Sequence, residues 1–161
     1  MIDRKRTACF TGHRNIPYQH KRKLEALLDN VIEALYNKGV IFFGCGGAYG
    51  FDMMAEYAVL RARERHREIK LILVLPCRDQ DKYWNDESKI MFRDILNKAD
   101  KVVYTDENYT SGCMHKRNRH LVDYSGYCIA YCTKNSGGTA YTINYAGENR
   151  LRVINLAEYI N

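Results

Sequence analysis

The sequence predicts one α/β domain, residues 1–161, in which helices cover both faces of a mostly parallel sheet. Short apolar runs alternate with amphipathic segments from one end of the chain to the other. Glycine-rich turns follow two of those runs. No repeat, low-complexity tract or linker divides the chain, which has only two prolines. Together these observations are typical of a doubly wound, Rossmann-like fold with right-handed crossovers.

Six short, mainly apolar runs predict the strands. Their brevity and their separation by helical segments favour strands buried on both faces, as in a parallel sheet. They are residues 8–10, 40–43, 70–75, 101–104, 127–131 and 152–155.

Apolar residues spaced three and four apart predict five helices between and beside these strands. The fourth helix is short. The markers are Leu24, Leu27, Leu28, Val31 and Leu35; then Phe51, Met54, Ala55, Ala58 and Ala62; then Met91, Phe92, Ile95 and Leu96; then Met114, Asn118, Leu121 and Val122; and last Ala140, Ile143 and Ala146.

Composition excludes several classes of protein. Hydrophobic residues at 46% and charged residues at 27% are typical of a globular chain and argue against disorder. The longest apolar stretches, such as residues 72–75, are too short to span a bilayer, and nothing resembles a signal peptide. The six cysteines lack the paired spacing of a zinc site. We therefore expect a cytoplasmic protein with reduced cysteines, no membrane contact and no metal.

The charge balance is moderately basic. Twenty-five Lys and Arg residues against 19 Asp and Glu residues leave a net charge of +6, which suits an anionic ligand or a nucleic acid. The run Arg61, Arg63, Arg65 and Arg67 alternates around a helix, which favours a solvated face over a DNA-binding stripe.

Two glycine-rich turns, each between a strand and a helix, predict phosphate contacts. Glycine allows left-handed backbone angles and close approach of a ligand, and the unpaired N–H groups of a helix start attract anions. A third loop, after the first strand, adds an imidazole and a guanidinium that can clamp phosphate oxygens. The predicted phosphate-binding residues are Gly12, His13, Arg14, Gly46, Gly47, Gly50, Ser136, Gly137, Gly138 and Thr139.

These loops are expected to meet. In doubly wound sheets ligands bind beyond the carboxyl ends of the strands, where the strand order reverses. The segments that follow strand ends can therefore share one crevice. They are residues 12–14, 46–50, 76–79, 105–113 and 136–139.

Ribose and base contacts are assigned to a second set of residues. Asp52 lies near the start of its helix, where it can bind a ribose hydroxyl or simply cap the helix. The basic segment of residues 114–120 can present only two or three side chains to one ligand, and Arg117 with Asn118 is favoured. Pro76 and Arg78 complete the set. Tyr83 and Trp84 either stack on a base or belong to ordinary packing.

Several motifs, taken in order, resemble the YpsA-like family of the SLOG superfamily, which is named for the Smf/DprA and LOG proteins. The resemblance covers residues 9–146 and implies a Rossmann-like fold that binds a nucleotide or a derivative such as ADP-ribose or NAD. The segments that carry it are Cys9-Phe10-Thr11-Gly12-His13-Arg14, Pro76-Cys77-Arg78-Asp79-Gln80, residues 109–119, Val122-Asp123 and Ser136-Gly137-Gly138-Thr139-Ala140-Tyr141.

Comparison with the LOG phosphoribohydrolases of the same superfamily argues against their chemistry. Their M-H-x-R-K segment and P-G-G-x-G-T-x-x-E motif supply an arginine and a glutamate for cleavage of an N-glycosidic bond. Here Arg117 keeps the arginine, but Asn144 stands at the glutamate position. A neutral amide cannot act as a general base or stabilise a cationic sugar as a carboxylate does. The same chemistry would need a carboxylate from elsewhere: Asp52, Glu56, Asp79 or Glu107.

The favoured function is therefore a nucleotide-binding sensor or regulator without an assigned catalytic residue. One alternative is a nucleotide N-glycosidase acting on NAD or a nucleoside monophosphate, with Arg117 in the reaction. A second is a single-stranded DNA-binding protein, which is disfavoured because tyrosines do not alternate with the basic residues. Analogy with the superfamily predicts a homodimer.

Overall fold

The computed structural model describes residues 3–160, and its six strands form one fully parallel sheet flanked by five α-helices. The predicted α/β, Rossmann-like fold is confirmed. The strands are β1 (Thr7–Gly12), β2 (Phe42–Cys45), β3 (Lys70–Leu75), β4 (Lys101–Tyr104), β5 (Tyr127–Tyr131) and β6 (Arg152–Asn155). The helices are α1 (Tyr18–Asn37), α2 (Phe51–Arg65), α3 (Asp86–Lys98), α4 (Cys113–Asp123) and α5 (Gly138–Glu148).

The strand order is β4-β3-β2-β1-β5-β6, so the chain winds in opposite directions on either side of β1 and β5. These two strands pair in parallel from Ala8 with Tyr127 to Gly12 with Tyr131. The loop after β1 leads away toward β2, and the loop after β5 leads away toward β6. A crevice therefore opens between the carboxyl ends of β1 and β5, the usual ligand position in such a sheet.

The first two strands differ from their predicted bounds. β1 continues through Thr11 and Gly12, because both residues pair with the end of β5. β2 begins at Phe42 rather than at residue 40 and includes Gly44 and Cys45, which pair with Ile72 and Leu73. The first glycine turn therefore begins inside a strand, and only residues 46–50 form the loop.

The alternation of side chains along the strands divides the core into two layers. Ala8 and Phe10 of β1 belong to the larger cluster, to which α1, α2 and α3 contribute. Cys9 lies between them in sequence and belongs to the smaller cluster, with Leu121 of α4 and Ala146 of α5. Helices α1, α2 and α3 therefore cover one face of the sheet, while α4 and α5 pack together against the other.

Helix α1 shows how the periodicity produces this packing. Leu24, Leu28, Ile32 and Leu35 recur along one stripe and are at most 3% exposed. That stripe packs beside α2, and full burial of each such side chain contributes roughly 1.5–3 kcal/mol. No helix within residues 3–160 is both long enough and apolar enough to cross a membrane.

Gly50 joins two loops at the crevice. Its φ is +84°, and a Cβ atom on it would overlap the Arg14 carbonyl group. We predict that Gly50→Ala lowers the free energy of unfolding by about 2 kcal/mol or more, because it adds backbone strain and a clash that backbone atoms must absorb. Urea unfolding followed by circular dichroism measures the loss.

Gly147→Ala is the matched control, because a Cβ atom at this position in α5 meets no atom within 4 Å. Alanine in a helix is favoured over glycine, so this variant should match the wild type or exceed its stability by up to about 1 kcal/mol. Equal stability of the Gly50 and Gly147 variants would contradict the proposed role of Gly50.

Candidate functional site

A pocket of about 280 Å³ lies in the crevice between β1 and β5. Its walls come from the end of β1, the loop before α2, one side of α4 and the first residues of α5. The lining residues are Phe10, Thr11, Gly12, His13, Arg14, Ala48, Asp52, Met114, Arg117, Asn118, Gly138 and Thr139. We call this the switch-point pocket.

The amino-terminal end of α5 opens into the switch-point pocket. Gly137 precedes the helix with a φ of +99°, and Gly138 and Thr139 begin it. Within the described residues no side chain caps this end, and Cβ atoms on Gly137 or Gly138 would meet nothing within 4 Å. The first N–H groups of α5 are thus offered to the pocket, where they and the helix dipole attract an anion.

Arg117 fixes a positive charge at the inner wall of the pocket. Its side chain is buried, donates to the Gly46 carbonyl oxygen, and donates from Nε to Asn118 Oδ1 at 2.7 Å. Burial lowers the pKa of Arg117, but the carboxylates of Asp52 and Glu56 oppose that shift. An arginine keeps its proton under such conditions, so the pocket retains a guanidinium cation.

Two carboxyl groups lie one helical turn apart at the start of α2. Asp52 Oδ2 accepts from the Ala48 N–H at 3.2 Å, and Glu56 Oε2 accepts from the Gly47 N–H at 2.9 Å. Burial raises the pKa of both groups, and the negative charge of Asp52 raises the pKa of Glu56 further. Asp52 lines the pocket, whereas Glu56 lies behind it and is 0% exposed.

The loop of residues 46–50 is held by side chains on both of its polar edges. The Gly47 and Ala48 N–H groups donate to carboxylates, and the carbonyl groups of Gly46 and Gly47 accept from Arg117 and Gln80. These two N–H groups therefore already have acceptors within the protein and are not directed at an anion. Gly46 and Gly47 do not line the switch-point pocket, and their assignment to a phosphate stays a prediction.

Close packing explains the glycines of the first two loops. A Cβ atom on Gly46 would overlap the Arg117 guanidinium, and one on Gly12 would overlap the Phe51 ring. Gly50 meets the Arg14 backbone in the same way. Phosphate approach was the reason for assigning these residues, and the structure provides a different reason for their lack of a side chain.

His13 and Arg14 lie at the pocket, but they differ in the charge they bring. His13 Nε2 accepts from the Thr133 N–H at 2.9 Å. Because Nε2 accepts this bond, the ring can donate only from Nδ1. Burial lowers the pKa of His13, and the positive charge of Lys134 lowers it further. Arg14 is exposed, and its guanidinium lies 4.9 Å from the centroid of the Tyr49 ring. Arg14 is therefore the cation that a ligand meets first.

The lining of the switch-point pocket does not include the predicted residues Pro76, Arg78 and Ser136, nor Asn144 of the LOG comparison. Pro76 is buried after β3, while the exposed Arg78 stacks 4.2 Å over the Tyr104 ring and pairs with Glu107 at 3.1 Å. Ser136 is exposed before α5, and Asn144 is exposed on the outer side of that helix. Asn144, whose amide argues against LOG-type cleavage, is thus not part of the pocket lining.

The remaining basic residues of α4 have partners elsewhere. Lys116 pairs with Asp106 at 3.0 Å, and the His115 ring lies 4.4 Å from the Tyr141 ring. Only Arg117 and Asn118 of this segment's basic and amide residues reach the pocket lining.

Sequence reasoning did not assign four lining residues, Phe10, Thr11, Ala48 and Met114. Thr11 is the first polar residue after the apolar run of residues 8–10, which is a usable signal. Glu56 was considered only as a substitute catalytic carboxylate. Its spacing of four from Asp52, on the apolar side of α2, could have indicated a buried acidic pair. Among the described residues no group of three His, Cys, Asp or Glu side chains could hold a metal ion.

Comparison with models of known protein families identifies the family of this chain. The model of the YspA SLOG family matches residues 9–158, nearly the whole sequence. The chain belongs to this family. One relative is the uncharacterized SPbeta prophage-derived protein YoqJ of Bacillus subtilis (strain 168), 31% identical over 142 residues, or 80% of this chain and 83% of that protein. The UPF0398 protein YpsA of the same organism is 23% identical over 130 residues, or 79% and 72%.

Two solved structures share the fold of this SLOG-family chain. DNA processing protein A from Helicobacter pylori, described with a single-stranded DNA binding mode, superposes with a TM-score of 0.66 at 19% identity. DNA processing protein A from Streptococcus pneumoniae gives 0.67, also at 19% identity. Each match covers 91% of this chain but only 63% and 48% of the respective relative. At this identity the likeness establishes the fold alone.

The acidic pair gives a pH-dependent stability that can be tested. Because the folded-state pKa of Glu56 lies well above its ordinary value of 4.5, the folded protein binds more protons than the unfolded chain above that pH. Stability therefore falls as the pH rises from about 4.5 toward the folded-state pKa. Glu56→Gln removes the titration and keeps an oxygen that can accept from Gly47.

Urea unfolding of both proteins across a pH series checks this expectation. The free energy of unfolding of Glu56→Gln, relative to that of the wild type, should increase as the pH rises. The difference should level off once Glu56 of the wild type is fully ionised. Glu25→Gln, at an exposed position in α1, is the control and should show no such trend. A difference between wild type and Glu56→Gln that is the same at every pH would refute the raised pKa.

Proposed function

We propose that this protein binds a nucleotide or a nucleotide derivative, such as ADP-ribose, NAD or a nucleoside monophosphate, and acts as a sensor or regulator. One observation carries the proposal: the uncapped start of α5 opens into the crevice at the β1/β5 switch point. Both arginines of the pocket, Arg14 and Arg117, line the same space. An anionic group fits between these donors and cations.

The pocket also offers a place for a sugar. Asp52 lines it, and its Oδ2 accepts from the Ala48 N–H. A carboxylate beside a phosphate site can accept from ribose hydroxyl groups, as acidic residues do in dinucleotide-binding folds. Thr11, Asn118 and Thr139 add neutral polar groups to the lining. This set of donors and acceptors matches a phosphorylated ribose better than a bare inorganic anion.

Gly138→Asp tests the phosphate position. A Cβ atom at residue 138 would meet no atom within 4 Å, and an acidic residue in the first turn stabilises a helix, so the variant should fold normally. Its carboxylate would occupy and repel the anion position. We expect the affinity for ADP-ribose, NAD or AMP to fall about tenfold or more, measured by isothermal titration calorimetry.

Gly138→Asn is the matched control, because it adds a side chain of the same size and shape without the charge. It should keep affinity within a few-fold of the wild type. Equal binding by Gly138→Asp and the wild type, or no binding of any of these nucleotides by the wild type, would refute the proposal.

An N-glycosidase is the second candidate, and Asp52 is the observation that favours it. The LOG motif has its carboxyl group at the position of residue 144, which here is an asparagine. The switch-point pocket instead contains the carboxyl group of Asp52, close to the charge of Arg117. A carboxylate there can stabilise positive charge that develops on the sugar during cleavage.

If the protein cleaves nucleotides, Asp52→Asn should abolish release of base from NAD or AMP while binding by calorimetry persists. Asn144→Ala, on the exposed side of α5, should leave turnover unchanged. Chromatography of reaction mixtures measures the released base. No product with the wild type, when the nucleotide binds, would exclude this activity.

Single-stranded DNA is a third ligand to test, because the Helicobacter pylori relative binds it. In this chain the arginines of α2 are neutralised by acidic partners: Arg61 pairs with Asp29, Arg63 with Asp100 and Arg65 with Glu33. Their charges are thus balanced rather than displayed as a basic stripe. The arrangement favours a small anionic ligand over a nucleic acid at this helix.

A further inference from the structure

A second, larger cleft adjoins the switch-point pocket. It has a volume of about 860 Å³ and lies between the loop after β3 and the start of α3. Arg14 and Met114 line both spaces, so the two are neighbours with a shared wall. The other lining residues of this aromatic cleft are Tyr49, Asp79, Gln80, Lys82, Tyr83, Trp84, Asn85, Ser88 and Tyr109.

Four aromatic side chains line the aromatic cleft. Trp84 is held in place by edge-to-face contacts with Tyr49 and Phe92, both with ring centroids 5.3 Å away. Tyr83 and Tyr109 are 90% and 65% exposed, which leaves much of their ring surface in contact with water. A fixed indole beside exposed phenol rings is an arrangement suited to stacking on a planar group.

The volumes of the two spaces indicate which part of the ligand each can hold. Sites for drug-sized molecules measure roughly 300–1,000 Å³. The switch-point pocket, at about 280 Å³, falls below that range and suits a phosphate with its ribose. The aromatic cleft lies within the range and has room for a further ring system.

We propose that the aromatic cleft is the base-binding subsite of the same ligand. The ligand would be a nucleotide whose phosphate lies at the start of α5 and whose heteroaromatic base passes Arg14 and stacks among Tyr83, Trp84 and Tyr109. Asp79 and Ser88 in the cleft supply polar groups for the base edge or a second ribose. This inference rests on the proposed nucleotide-binding function and predicts that the base, in addition to the phosphate, contributes to affinity.

The chain carries its own reporter for this subsite, because Trp84 is its single tryptophan. Titration with ADP-ribose or AMP should change the tryptophan emission, excited at the red edge where purines absorb little. Ribose 5-phosphate, which lacks the base, should bind the switch-point pocket by calorimetry without changing that emission. Its affinity should be about tenfold or more weaker than that of AMP, because base stacking is lost.

Substitution of the exposed rings separates binding from folding. Tyr83→Leu combined with Tyr109→Leu should weaken AMP and ADP-ribose about tenfold and leave the affinity for ribose 5-phosphate unchanged. Tyr18→Leu is the matched control, since this tyrosine is 87% exposed and lies outside the cleft. Tyr18→Leu should leave the affinities for the nucleotides and for ribose 5-phosphate unchanged.

The outcomes distinguish this inference from the proposed function. If AMP and ribose 5-phosphate bind the wild type equally, with no emission change, the base subsite is refuted while phosphate binding stands. If neither binds, both proposals fail. If an oligonucleotide alone changes the emission and loses affinity in the double variant, the cleft serves single-stranded nucleic acid and the nucleotide subsite is refuted.

Discussion

The arrangement of the site depends on the buried contact between Arg117 and the loop of residues 46–50. Helix α4 lies on one face of the sheet and α2 on the other, and Arg117 connects them at the carboxyl edge by donating to the Gly46 carbonyl group. Its charge also offsets the buried carboxyl groups of Asp52 and Glu56. Without the guanidinium, two acidic groups and a carbonyl oxygen would remain buried with less compensation, a costly arrangement in an interior of low polarity. The close approach of Arg117 also requires glycine at residue 46.

This contact gives the two glycine turns different roles. In the first turn, the acidic side chains of Asp52 and Glu56 accept from the Ala48 and Gly47 N–H groups, which therefore have partners within the protein. In the second, Gly137 and Gly138 have open surroundings and the helix start is uncapped within the described residues. Sequence alone presents the turns as equivalent, because each follows a strand and begins a helix. The acidic residues at positions 52 and 56 make the difference, since they supply internally the negative charge that a ligand would otherwise bring.

Local pattern was sufficient for most of the fold but not for the site. The bounds of β3, β4, β5 and β6 follow from apolar runs that end at polar or glycine-containing loops, and the structure has the same bounds. β1 and β2 differ because pairing with β5 and β3 extends them into residues such as Gly12 and Gly44. The contact between residues 46 and 117 spans 71 positions and leaves no local signature. Arg78 is a residue that local pattern assigned to the site although it lies elsewhere. It follows a strand end as expected, yet its contacts with Tyr104 and Glu107 hold it away from the crevice.

The charge balance of the switch-point pocket limits how tightly it can hold an anion. The buried acidic groups of Asp52 and Glu56 lie beside Arg117 and offset its positive charge. The net attraction for phosphate then comes from the exposed Arg14 and from the start of α5. Both lie near water, where ionic screening is strong and each interaction is worth about 1 kcal/mol or less. A ligand held this way gains useful affinity only by adding contacts beyond its phosphate, which is the physical reason to look for them in the aromatic cleft beside Arg14.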